Sequence, residues 1–271
     1  VTASTPAAGR ARISACVIAK DEADRIERCL ASVAWCDEVL VLDSGSRDDT
    51  VALCRAAGAR VLETDWPGWV RQKQRATDAA THDWIFSIDA DERVDDALRA
   101  ALEHLRSTGR LDGPDAPPAW EVRRRVWFLG RWIRHGGWYP EWRARLFDRR
   151  RARWAGVDPH DRVEAEGRPE RVKVGHLEHH TFRSFDDYVA KMNRFSTVAA
   201  EQKHERGRRA TLWDILLRPA FRFVRMYLLH RGFLDGRAGF ILARLAATSV
   251  FLKYAKLWDL QQPPQDGGPA A

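Results

Sequence analysis

The sequence predicts an α/β domain with a mostly parallel sheet, followed by a basic helical region. Three observations carry this. Short apolar runs alternate with amphipathic runs of helical period over the first hundred residues. Three of the apolar runs end in polar clusters, the side on which such sheets bind ligands. Beyond residue 183 only helix-length runs rich in Arg and Lys remain. With 45% hydrophobic and 31% charged residues, the 271-residue chain can bury a core, which excludes a largely disordered protein.

The elements follow in order. Ile13 to Ala19 reads as a buried strand, and Glu22 to Val33 as a helix with Ile26, Cys29, Leu30 and Val33 on one face. Glu38 to Leu42 is the second strand. Ser46 to Asp49 fits a capping box, opening a helix from Thr50 to Ala57 that Gly58 closes. Arg60 to Glu63 is a third strand, Val70 to Ala80 a helix, Asp83 to Ile88 a fourth strand and Asp95 to Leu105 a helix. A Gly/Pro-rich loop from Ser107 to Pro118 leads to a strand from Ala119 to Leu129. Ser184 to Asp187 fits a second capping box, and Leu212 to Leu260 reads as amphipathic and helical.

The four cysteines form no CxxC pair and read as reduced small hydrophobes of a cytosolic protein. VTASTPAAGRAR, residues 1–12, lacks the apolar centre of a signal peptide. Gly239 to Leu252 is shorter than the ~20 residues of a spanning helix and contains Arg244, so no span is expected. The net charge of +7 is concentrated: Arg123 to Arg153 holds eleven Arg and two acids, and Lys203 to Lys256 holds twelve Lys or Arg and three acids. Such blocks suit a polyanion, whether nucleic acid, anionic lipid or phosphorylated glycan. In the second block Phe221, Val224, Tyr227 and Leu228 fall at helical spacing beside Arg218, Arg222 and Arg225. That pattern favours an anionic membrane surface over nucleic acid; an ordinary helix with a solvated basic face is the plain alternative.

WIFSIDADER, residues 84–93, sets Asp89, Asp91 and Glu92 at the end of an apolar strand. Like charges this close repel, so a positive partner is required, either side chains or a metal. Asp89-Ala90-Asp91 after a strand suits a divalent cation held by carboxylates and substrate phosphates. Such an ion would neutralise a leaving diphosphate.

VIAKDEADRIERCLASV, VLDSGSRDDT and IFSIDADE together resemble the nucleotide-sugar-binding half of family 2 glycosyltransferases, which have the GT-A fold. GGWYPEWRARLFDRR, HHTFRSFDDYVAKMNRFS and YLLHRGFLDGRAGF are similar to the lipopolysaccharide inner-core β-glucosyltransferases, which transfer glucose to a heptose. Residues 1–12, small and polar, read as a flexible stretch, and the resemblance implies a catalytic domain over 13–182, with a donor half (13–107) and an acceptor half (119–182). A helical region over 183–260 and a disordered tail over 261–271 would follow.

The resemblance also implies roles. Ala19 and Glu22 would border the uridine, and Asp43 would hydrogen-bond the uracil. Ser44 stands where many members carry a second Asp, and Ala90 lies within the DxD. Asp89 would reach the ribose or the metal, and Asp91 would hold Mg²⁺ or Mn²⁺. Lys73 and Arg75 fall where a basic residue approaches the donor, or else on a solvated helix face. An inverting transfer needs a base. Glu141, Asp148, Asp158 and Asp161 are candidates, with Asp161 favoured and Glu141 next. His160 is a further metal or diphosphate ligand or a plain loop histidine, and His176, His179 and His180 read as structural. Among the six tryptophans of residues 120–154, Trp138 is the acceptor-contact candidate. The expected partners are a UDP-sugar, UDP-glucose in the first place, a lipid-anchored glycan of the lipopolysaccharide core and an anionic membrane surface, with no nucleic acid. The expected location is the cytoplasmic face of the inner membrane, attached peripherally. Transfer to a polyprenyl phosphate is the rival reaction.

Overall fold

The computed structural model describes residues 10–113, 115–158 and 160–262. Expectations for 1–9 and 263–271 lie outside these residues. The elements run β1 (Ile13–Ala19), α1 (Ile26–Val33), β2 (Glu38–Asp43), α2 (Thr50–Ala56), β3 (Arg60–Glu63), α3 (Trp69–Ala79), β4 (Trp84–Asp89), β5 (Glu92–Val94) and α4 (Asp96–Ser107). They continue through β6 (Ala119–Phe128), β7 (Arg131–Trp132), β8 (Glu141–Asp148), β9 (Ala152–Val157), β10 (His160–Ala165), β11 (Glu170–Arg171) and β12 (Leu177–His179). Three helices follow: α5 (Phe185–Glu205), α6 (Leu212–Val224) and α7 (Gly236–Asp259).

The chain forms two compact units. Of the described residues, the first comprises those from 10 to 125 together with 141–179; the second comprises 126–140 and 180–262. In the first unit the sheet order begins β3-β2-β1-β4, all parallel, and continues with β8 antiparallel to β4 and β6 antiparallel to β8. Alternation of β and α forces the parallel order, because each helix returns the chain to the same edge of the sheet. Ile13, Val17, Phe86, Ile88 and Leu98 fill one face, and Leu40, Leu42, Ile85, Phe147 and Trp154 the other. This burial on both faces explains why the strands read as unbroken apolar runs. A consequence of the parallel order is that Ala19, Asp43 and Asp89 end neighbouring strands at one edge, with Ala19 opposite Asp43 and Ile18 opposite Asp89.

Two local expectations need correction. Ser46 does not cap α2: its hydroxyl donates to Asp43, and the Asp49 cap position makes no side-chain bond. α1 starts at Ile26, four residues late, because Asp21 adopts φ 53° and the chain turns before the helix. Ser184, by contrast, does cap α5, accepting from the Asp187 N–H at 3.0 Å. Ala11, near the end of the stretch expected to be flexible, is buried, and its carbonyl accepts from Arg106 Nε at 2.8 Å.

The second unit packs α7 against α5 and α6. Phe128, Ile133, Tyr188, Met226, Leu242 and Ala243 form its main core. Trp138 stands in the loop between β7 and β8, as expected, and is partly buried against that core. The helical stretch Gly232–Asp259 spans 28 residues, longer than the Gly239–Leu252 run read from the sequence and long and apolar enough by length and composition to cross a membrane, although 33% of its most apolar 18 residues are buried in the fold.

Candidate functional site

The site grows from the carboxyl ends of β1, β2 and β4. Asp43, buried at the end of β2, accepts the backbone N–H groups of Gly45 at 2.9 Å and Ser46 at 2.8 Å, plus the Ser46 hydroxyl. Gly45 has φ 79°, which a side chain would resist, so the turn wraps its own carboxylate. The Ser44 N–H donates to the Ala19 carbonyl at 2.9 Å, and Ser44 Oγ accepts from Gln72 Nε2 at 3.0 Å. The Glu22 N–H donates to Thr50 Oγ1 at 2.8 Å, while the Glu22 carboxylate pairs with Arg25 at 2.6 Å. Ala19, Asp43 and Ser44 share one wall, and the Asp21 N–H, donating to Ser46 Oγ at 2.9 Å, ties to it the turn that carries Glu22.

The carboxylates after β4 have side-chain partners. Glu92, fully buried, receives Arg145 at 2.6 and 2.7 Å, Arg124 at 3.2 Å and the Asp89 N–H at 3.0 Å. Asp89 lies between Lys73 Nζ at 2.9 Å and Arg145 at 2.9 Å. Burial would push its carboxyl up, but these two cations outweigh burial and hold it well below the usual range. The same surroundings raise the Arg145 guanidinium further, despite its burial. Asp91, two residues on, faces His179 Nε2 at 3.2 Å. Burial raises its carboxyl, but His179, by charge and by hydrogen bond, brings it down to about 2. Ala90 is buried between the two acids.

Lys73 joins two parts of the site. Only 4% exposed, its ammonium reaches Asp161 Oδ2 at 2.8 Å as well as Asp89, and lies 4.8 Å from the centre of the Trp154 ring. Arg75, two positions along α3, points elsewhere, exposed and paired with Asp65 at 2.7 Å. His160 is exposed on β10 beside Asp161. Glu141 is clamped by Arg124 and Arg143, which overcome burial and lower its carboxyl. Asp158 accepts the Val70 N–H at 3.0 Å at the start of α3, and Asp148 holds Arg150. Asp161 is thus the base candidate linked, through Lys73, to Asp89 of the DxD.

Two contributions were not anticipated. His179 came from a HxxHH run read as structural; His176 does serve structure, 3.1 Å from Asp95, and His180 packs among the rings of Trp127 and Trp132. Arg124 and Arg145 came from the block assigned to a polyanion. Arg125, Arg143 and Arg150 there likewise meet acids of this chain.

Among the described residues no group of three or more His, Cys, Asp or Glu side chains is arranged around a metal position. Asp91 and His179 offer one carboxylate oxygen and one imidazole nitrogen, a donor set that fits a divalent ion completing its shell with ligand phosphates and water.

Residues 14–163 match the family model described as glycosyl transferase family 2. The lipopolysaccharide core biosynthesis glycosyltransferase LpsC of Rhizobium meliloti (strain 1021) is 32% identical over 257 residues, covering 91% of this chain and 92% of that one. An uncharacterized glycosyltransferase of Rickettsia bellii (strain RML369-C) is 30% identical, covering 92% and 87%. Glucosyl-3-phosphoglycerate synthase from Mycobacterium tuberculosis, solved with Mn²⁺, UDP and glucosyl-3-phosphoglycerate, shares 27% identity over 45% of each chain. At a TM-score of 0.33 that overlap is too loose to carry residue roles across. The parallel β3-β2-β1-β4 core with its polar strand ends is the nucleotide-sugar half of a GT-A fold, and the chain belongs to glycosyl transferase family 2.

Proposed function

We propose that the protein transfers glucose from UDP-glucose, with inversion, to a heptose of the lipopolysaccharide inner core. The observation that carries this reading is the convergence of Asp43, Asp89 and Asp91 at one sheet edge, with Lys73 linking Asp89 to Asp161. Similarity to LpsC over nine-tenths of the chain supports a core glycan as acceptor.

In this reading the wall of Ala19, Glu22, Asp43 and Ser44 receives the uridine. Asp91 and His179 would hold a Mg²⁺ or Mn²⁺ ion, which when bound neutralises charge on the leaving diphosphate. Lys73 holds Asp89 and Asp161 side by side. Asp161 accepts the proton of the attacking hydroxyl, on the face opposite the diphosphate. Trp154, packed beneath the Lys73 ammonium, keeps water from that ion pair.

The test is a donor and acceptor screen with the purified chain. Glucose should pass from UDP-glucose to a heptose-terminated core lipid, and NMR should show a β-linked product. Transfer to polyprenyl phosphate instead, or retention of configuration, would replace this assignment.

A further inference from the structure

The helical unit leaves apolar surface that its own packing does not cover. Leu212, Trp213, Leu216, Leu217, Phe221 and Val224 of α6 are 40–70% exposed. Their spacing of i, i+1, i+4, i+5, i+9 and i+12 spreads them over about half the circumference of the helix. Inward-facing residues of α6 are distinct: Ile215 packs with Tyr254 and Leu257, and Phe223 with Tyr227 and Phe240. The exposed row continues past the end of α6 through Leu228, Leu229, Phe233 and Leu234. A contiguous patch of this kind marks an interaction surface.

Charge indicates what covers it. From Ile215 to Leu234 the chain carries four arginines and no acidic residue. Arg218 is paired with Asp214, which precedes this stretch and is itself buried; Arg225 and Arg231 are exposed and Arg222 half-buried, along the same stretch as the apolar row. A second copy meeting this face across a two-fold axis would set arginines against arginines. An anionic bilayer satisfies both features, taking up the apolar side chains while its phosphates meet the guanidiniums.

We infer that the exposed face of α6 is a membrane-docking surface, which lies in the plane of an anionic phospholipid bilayer with Leu217 and Phe221 among its inserted side chains. Docking of this kind is independent of the donor and acceptor assigned above. α7 does not need to cross the bilayer. Its buried face, Ala238, Leu242, Ala243, Ala247, Tyr254 and Leu257, already packs within the unit, and crossing would uncover it.

The experiment is co-sedimentation of the full chain with vesicles of phosphatidylcholine alone or mixed with phosphatidylglycerol. Binding should require phosphatidylglycerol and fall with salt. Leu217→Glu combined with Phe221→Glu should weaken it by at least about tenfold, with an unchanged thermal midpoint, since both side chains are already exposed. Arg222→Gln combined with Arg225→Gln should also weaken it by about tenfold. Independently of those variants, a nitroxide on Leu217→Cys should become more accessible to oxygen than to a nickel chelate when anionic vesicles are added. Equal binding to neutral vesicles, wild-type binding by the double Glu variant, or a label that stays in water would overturn the inference. So would a dimer that only the Glu variant dissolves, or retention that only detergent reverses, since these mean a second copy or a spanning α7.

Discussion

Lys73 Nζ lies 2.8 Å from Asp161 Oδ2, across 88 residues of sequence, and the same ammonium holds Asp89 at 2.9 Å. One buried cation therefore ties the favoured base to the strand end that carries the DxD. Asp161→Asn should lower turnover by ~10²–10⁴-fold with nearly unchanged donor affinity, because the base acts on the acceptor. Glu141→Gln should keep most activity. Near-normal turnover for Asp161→Asn beside an inactive, donor-binding Glu141→Gln would exchange their roles.

Lys73→Met should cost about 3–5 kcal/mol of stability, since it leaves Asp89 and Asp161 without their shared buried cation. The double variant Lys73→Met/Asp161→Asn should be less destabilised than the two single changes summed, by ~1 kcal/mol or more. Urea unfolding of the four proteins in the cycle measures this. Strict additivity would show that the pair does not interact energetically.

Asp91→Asn and His179→Ala should each reduce Mn²⁺-dependent UDP-sugar binding by about tenfold or more, since each removes one of two protein donors. Calorimetry with and without Mn²⁺ reads the effect directly. His176→Ala, whose ring pairs with Asp95, should leave metal-dependent binding intact. Equal losses for all three histidine and aspartate variants would point to a general structural effect.

Glu38 provides a pH test away from the site. Burial raises its carboxyl, but hydrogen bonds from Ser14, Thr81 and Arg60 bring it from 4.5 down to about 2. The folded value lies below the unfolded one, so the stabilisation is present above pH ~4.5 and is lost as pH falls towards 2. Wild type should therefore exceed Glu38→Gln in stability at neutral pH, and the difference should close between pH 4.5 and 2. A constant difference over that range would mean that the Glu38 charge plays no part.

Gly239→Ala should destabilise the helical unit by about 1–3 kcal/mol, because a Cβ there would meet the Gly232 carbonyl oxygen at 1.9 Å. Thermal unfolding followed by circular dichroism checks it. An unchanged midpoint would mean that the Gly232–Gly239 contact is looser than the structure has it.

The sequence by itself determined the elements of the first unit and their direction. Apolar runs such as ISACVIA and WIFSID are buried on both faces, and alternation with helices leaves only a parallel arrangement. It also placed Asp43, Asp89 and Asp91 at strand ends, because strand termination is a local property. Tertiary structure alone decided which cations face those acids. Lys73, Arg145 and His179 lie on α3, on β8 and at the end of β12, far from the DxD in sequence. Nothing local separates an arginine that meets Glu92 from one that meets solvent, so Arg145 was legible only as part of a basic block. His179 was hidden likewise, since HxxHH shows the residue type without its partner. The apolar face of α6 was half legible. Periodicity revealed an amphipathic helix, but whether its apolar side turns inward or outward depends on which neighbours α7 and α5 can reach.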